Sequence, residues 1–140
     1  MAFTGNYSCN TLRTGLVNGT INFATDTFKL ALYTNAATLN AATAAYTTDG
    51  ETTGGNYTAG GRVVTATEGT DANNTGSTIF INFSAPAWTG VITARGALIY
   101  RQSDGLAICV LDFGNDKTSS QTFTVQMPAN TATSALIRII

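Results

Sequence analysis

The chain has no histidine, only two cysteines and two prolines, and charged residues at just 11% of its 140 positions. Without histidine, imidazole-based triads, histidine general bases and Cys/His zinc sites are excluded. Typical soluble domains carry about 25% charged residues, so solubility here must rest on Thr, Asn, Ser and backbone amides. Seven Lys/Arg against eight Asp/Glu give a net charge of -1, and the basic residues are scattered singly. That pattern argues against nucleic acid and against an anionic membrane surface as partners. Low charge favours association with other protein surfaces instead. No stretch approaches 18 consecutive apolar residues, and MAFTGNYSC lacks the charged and apolar regions of a signal peptide. The expectation is a protein made in a cytoplasm that stays soluble.

What is present is apolar and β-prone. Hydrophobic residues make up 44% of the chain, enough at this length for one domain over residues 1–140 with a real core. Trp88 to Lys117 (WTGVITARGALIYRQSDGLAICVLDFGNDK) holds two long apolar runs around Asp104-Gly105. Such a pattern predicts an antiparallel hairpin with strands longer than average. Thr27–Thr34 alternates with Phe28, Leu30 and Leu32 on one face, the pattern of a half-buried strand. Further strands are expected over Gly61–Glu68, over Ser77–Phe83 with Ile79, Ile81 and Phe83 on one face, over Thr122–Met127 and over Ala135–Ile140, with a turn at Asp71–Gly76. Leu12 and Leu16 stand four apart after Ser8 and Asn10, which predicts a short N-terminal helix ending near Asn18-Gly19. Gly15 in its middle weakens that helix by about 1 kcal/mol relative to Ala. Seven or eight strands must cover two apolar faces. The fold class expected is therefore all-β, an antiparallel two-sheet β-sandwich of jelly-roll or Greek-key type with a short helix.

Residues 35–60 are rich in Ala, Thr, Asn and Gly, with Leu39, Tyr46 and Tyr57 as large anchors and scope for one helical turn around Ala41–Ala45. The segment reads as a long surface loop, and such loops are often functional. It is the first candidate contact surface, the alternative being a mobile insertion.

Chemical motifs are thin. Asp112-Phe113-Gly114 matches a kinase triplet, but the other kinase elements are missing, and it reads as a strand end. Five Asn-x-Ser/Thr matches, beginning with Asn6-Tyr7-Ser8, are what a chain rich in Asn and Thr produces by chance. Asp49/Glu51, Asp71 and Asp112/Asp116 could supply oxygen ligands to a hard cation, yet their spacing fits no calcium loop and turn capping is the favoured reading. Neither a metal nor a cofactor is expected. Arg95 interrupts an apolar strand. If paired residues of the hairpin have numbers summing to about 209, Asp112 lies one diagonal step away, so Arg95 and Asp112 are assigned as a structural ion pair. Cys109 among Ala107, Ile108, Val110 and Leu111 reads as a buried thiol, a Cys9–Cys109 bridge being the alternative.

The blocks TDTFKLALYTN, ITARGALIY and VLDFG followed by DKTS, in this order and with the segments around them, span nearly the whole chain. Together they resemble small structural proteins of tailed bacteriophages. The resemblance implies a non-enzymatic virion protein with no catalytic residues. The leading expectation is a capsid decoration or cement protein on the capsid surface, contacting the major capsid protein and copies of itself. A tail, neck or fibre component with a receptor- or carbohydrate-binding role is the alternative. A small hydrolase is a third reading, requiring two carboxylates about 5 to 10 Å apart in a cleft. Candidate interface residues, chosen as exposed aromatic anchors, are Phe3, Tyr7, Tyr46, Tyr57 and Trp88.

Overall fold

The structure is a computed structural model and describes residues 3–70, 78–131 and 133–139. In chain order its elements are β1 (Tyr7–Ser8), α1 (Asn10–Asn18), β2 (Phe28–Tyr33), β3 (Arg62–Val64), β4 (Ala66–Thr70), β5 (Ile79–Phe83), β6 (Ala87–Thr89), β7 (Thr93–Arg101), β8 (Ala107–Thr118), β9 (Thr122–Thr124) and β10 (Ile137–Ile139). The all-β class holds. The strands form three antiparallel sheets: five strands in the order β1-β8-β7-β2-β3, three in the order β10-β5-β4, and the pair β6-β9. The turn expected over Asp71–Gly76 lies outside the described residues.

The β7–β8 hairpin is the spine, as its apolar runs predict, with strands of 9 and 12 residues. Its register departs from the symmetric expectation. Ala97 faces Leu111 and Ile99 faces Cys109, but Tyr100 faces Ala107. The bulge leaves Ile108 as an extra residue, and Ile108 and Cys109 both join the same core cluster. A bulge breaks strict alternation in this way. A second irregularity, between Ala94 and Gly96, lets Phe113–Asp116 run out of the ladder.

One face of the five-stranded sheet carries Phe28, Leu30, Leu32, Ala97 and Ile99. These share a cluster with Ile81, Phe83 and Ile137 of the three-stranded sheet, with Trp88 and Phe123 of the β6–β9 pair, and with Leu12 and Ile21. The other face carries Ala31, Tyr33, Leu98, Tyr100 and Val110, covered by Phe3, Cys9, Ala37 and Leu39. Alternate residues of a strand point to opposite faces, so strands apolar at nearly every position, such as β2 and β7, need cover on both sides. The second cover comes from the N-terminal residues and the 35–60 segment.

That corrects the reading of 35–60 as a free surface loop. Its backbone is tied to the sheet by Thr34 N–H to Gly50 O (2.8 Å), Thr52 N–H to Leu32 O (3.0 Å) and Tyr46 N–H to Gly105 O (2.8 Å). The helix over Asn10–Asn18 starts two residues later than Ser8, because Ser8 pairs with Cys109 in β1. Ile79 is exposed rather than inward. Cys9 and Cys109 are both free and buried.

Burial pushes the Cys9 thiol up to about 11 and raises that of Cys109 further. A thiol that stays protonated is a poor nucleophile. Both cysteines are therefore expected to resist alkylation in the native protein near neutral pH and to react fully after denaturation, a difference measured by mass spectrometry.

Two glycines at positive φ separate a cheap substitution from a damaging one. Gly19 closes α1 at φ 76°, and an added Cβ there meets nothing within 4 Å. Gly61 also has φ 76°, but its Cβ would lie 1.8 Å from the Leu30 carbonyl oxygen. Gly19→Ala should cost about 1 kcal/mol, and Gly61→Ala about 3 kcal/mol or more because backbone must move. Denaturant unfolding of the two variants checks the ranking.

Candidate functional site

The five candidate anchors do not converge. Trp88 is 1% exposed and Phe3 2% exposed, so both are core residues and neither is available as a contact anchor. Trp88 packs against Tyr57 with ring centroids 5.4 Å apart, and Arg95 lies over the Phe3 ring. An aromatic residue in a Thr- and Gly-rich stretch looks exposed in sequence, yet these fill space over apolar sheet faces.

Tyr46 and Tyr57 are half-buried and engaged inside the chain. The Glu51 carboxylate accepts hydrogen bonds from the Tyr46 hydroxyl (2.7 Å), the Tyr57 hydroxyl (2.5 Å) and the Gly60 amide (2.7 Å). Tyr57 Oη also accepts the Leu32 amide (2.9 Å), and Tyr46 stacks on Tyr100 at 4.7 Å. Burial holds the Tyr57 phenol well above its ordinary range, and its bond to Glu51 adds to that. Burial likewise raises Tyr100 to about 12. One carboxylate therefore gathers three donors and fastens 46–60 to the sheet. The arrangement is structural: its acidic group is saturated by its own chain.

Arg95 and Asp112 meet, Arg95 Nη2 lying 3.0 Å from Asp112 Oδ1 with Nε donating to the same oxygen at 3.1 Å. Asp112 also receives the Gly114 amide, and its own amide donates to Asn6 Oδ1 at 2.6 Å. The pair thus anchors the segment entering β1. Arg101 was not singled out from sequence, yet it binds Asp104 (2.9 Å), Asp26 (3.1 Å) and the Thr20 carbonyl (2.6 Å). Its i,i+3 spacing to Asp104 is a signal that sequence does offer.

The remaining anchor, Tyr7, leads to the surface feature that does stand out. It lines an open groove of about 710 Å³ between α1, β1 and β10, floored by Cys109, Val110 and Leu111. β1 is an edge strand of the five-stranded sheet and β10 an edge strand of the three-stranded one. The groove wall includes Val17, 89% exposed, and Ile139, 45% exposed. Ile79, the cross-strand partner of Ile139, is exposed beside it. Three of the five exposed large apolar side chains among the described residues therefore gather along one rim. Two arginines, Arg13 and Arg138, border the groove and no acidic residue does. A smaller groove beside Phe113 and Phe123, of about 380 Å³, also has no acidic residue in its lining. Neither therefore holds the carboxylate pair that a glycosidase mechanism requires. Among the described residues no group of three or more potential metal ligands assembles, and no helix is long and apolar enough to cross a membrane.

No family model, curated protein or solved structure matches the chain.

The Arg101 contacts give a pH prediction. The hydrogen bond from Arg101 holds the Asp104 carboxyl below its usual range. A folded-state value below the unfolded one adds stability above the ordinary carboxylate pKa, and that stability is lost as pH falls through the folded value. Asp104→Asn should lower the melting temperature at neutral pH and leave it nearly unchanged below the folded value, flattening the acid limb of the stability profile. Thermal melts across the acid range measure this.

Proposed function

We propose that the five-stranded sheet and the two smaller sheets are the layers of a β-sandwich of jelly-roll or Greek-key type, and that the chain is a non-enzymatic structural protein of a tailed-bacteriophage particle. Within the particle it acts as a capsid decoration protein, made in the host cytoplasm and seated on the capsid surface, where it bridges major capsid subunits and touches copies of itself. The observation that carries this reading is the apolar rim built by Val17, Ile79 and Ile139 beside two edge strands. Contiguous exposed apolar surface next to unpaired strand edges is a liability in a solitary protein and marks a protein-contact site. The block resemblance to phage structural proteins supplies the setting. The low charge supports it, since few ionic groups have to be desolvated when such a surface is covered.

A protein that bridges a junction binds only the assembled shell and stabilises it by RT ln(1 + [L]/Kd), about 2.7 kcal/mol at a hundredfold excess over Kd. Particles from a phage deleted for this chain should therefore release their DNA at lower temperature than wild type, and added purified protein should restore the difference. Reconstruction of the wild-type particle should show its density over junctions between capsid subunits. Density on the tail would overturn the decoration role, and purified virions lacking the chain would overturn the structural one.

A further inference from the structure

Strand β10 meets the groove along its free edge. Consecutive residues from Leu136 to Ile139 all line the groove, although neighbours in a strand point to opposite faces. What they share is the backbone edge turned away from β5, and among the described residues no further backbone hydrogen bond involves Ile137–Ile139. The two faces of β10 differ. Ile137 and Ile139 pair with Ile81 and Ile79, and Ile137 shares the core cluster with Leu12 and Leu111. Arg138 pairs with Phe80 on the other face and is exposed, with no ion pair among the described residues. Arg13, on the α1 wall, donates to Ser8 and Asn10 and to no carboxylate.

We propose that β10 accepts one more strand from a partner protein, an extended segment that carries an acidic residue between two large apolar ones. Residues directly opposite one another on neighbouring strands share a face and interact. An incoming strand therefore sets its acidic side chain beside Arg138 and its two apolar ones beside Ile137 and Ile139, on the face turned to the core. Such an addition takes affinity from main-chain hydrogen bonds and specificity from alternate side chains. The edge of β1 is the poorer acceptor, since its Ser8 carbonyl already accepts Arg13 Nη1 at 3.2 Å. Sequence excludes a second copy as the donor. Of the eight acidic residues only Asp112 stands between two large apolar residues, Leu111 and Phe113, and it is bound to Arg95 within the β7–β8 hairpin. The complementary pattern therefore belongs to another chain, which on the assembly reading above is the shell protein that this one bridges.

The docking is tested on the purified protein, so that it and the particle role can fail separately. The probe is a short fluorescein-labelled peptide in which valine alternates with threonine, with aspartate in place of the central threonine. Fluorescence anisotropy should show saturable binding that is lost when the aspartate is replaced by lysine or when the alternation is scrambled. Arg138→Glu should weaken the aspartate peptide about tenfold and restore binding of the lysine peptide, because an attraction across the strand pair becomes a repulsion and the reverse. Ile139→Thr should weaken binding without changing the charge preference. Both replaced side chains are exposed, and circular dichroism of each variant reports its fold. No binding of the aspartate peptide, or binding indifferent to Arg138→Glu, would overturn the docking site while the DNA-release measurement still decides the particle role. Self-association of the purified chain that Ile139→Thr abolishes would overturn the choice of a foreign segment.

Discussion

The central hairpin is apolar on both faces, and the rest of the molecule is arranged around that demand. A sheet whose strands read Phe-Lys-Leu-Ala-Leu-Tyr and Gly-Ala-Leu-Ile-Tyr cannot leave either side to water. Burial of each such side chain is worth about 1.5–3 kcal/mol. The smaller sheets and α1 satisfy one face. For the other, the cover among the described residues is not a sheet but a length of Thr- and Ala-rich chain, held flat by hydrogen bonds and by a few inserted anchors such as Leu39 and Ala37. Irregular chain in contact with a core needs partners for its polar groups. Thr34, Thr52 and Glu51 are where those partners are found.

How much of this was legible follows from the range over which each signal acts. The hairpin, β2 and the helix are written in local periodicity, and Leu12 with Leu16 sufficed to place α1. Register was less accessible. The bulge at Ile108 arises from packing both Ile108 and Cys109 inward, and nothing in the local pattern announces it. The single expected strand over Gly61–Glu68 is split at Thr65, because the chain there leaves one sheet for another. That change depends on partners far away in sequence.

The polar contacts divide in the same manner. Arg95 with Asp112 could be inferred because both sit on one predicted hairpin. Arg101 with Asp26 could not, since the residues belong to elements whose neighbourhood only the β2–β7 pairing creates. Of the five aromatic anchors Tyr7 lines the surface groove, whereas Phe3 and Trp88 fill the core and Tyr46 and Tyr57 bond inward to Glu51, because a chain that covers a sheet turns its aromatic residues toward it. The groove beside β10 was invisible for the complementary reason, being assembled from α1, β1, β8 and β10, which span almost the whole chain.

The pairing of Tyr7 with Val110 has a further consequence for how the molecule folds. Strand β1 finds its partner β8 only far along the chain, so β1 and the apolar Phe3 before it stay uncovered until the residues between have been made and folded. Contacts this distant along the chain slow folding and lengthen the interval in which exposed segments can aggregate.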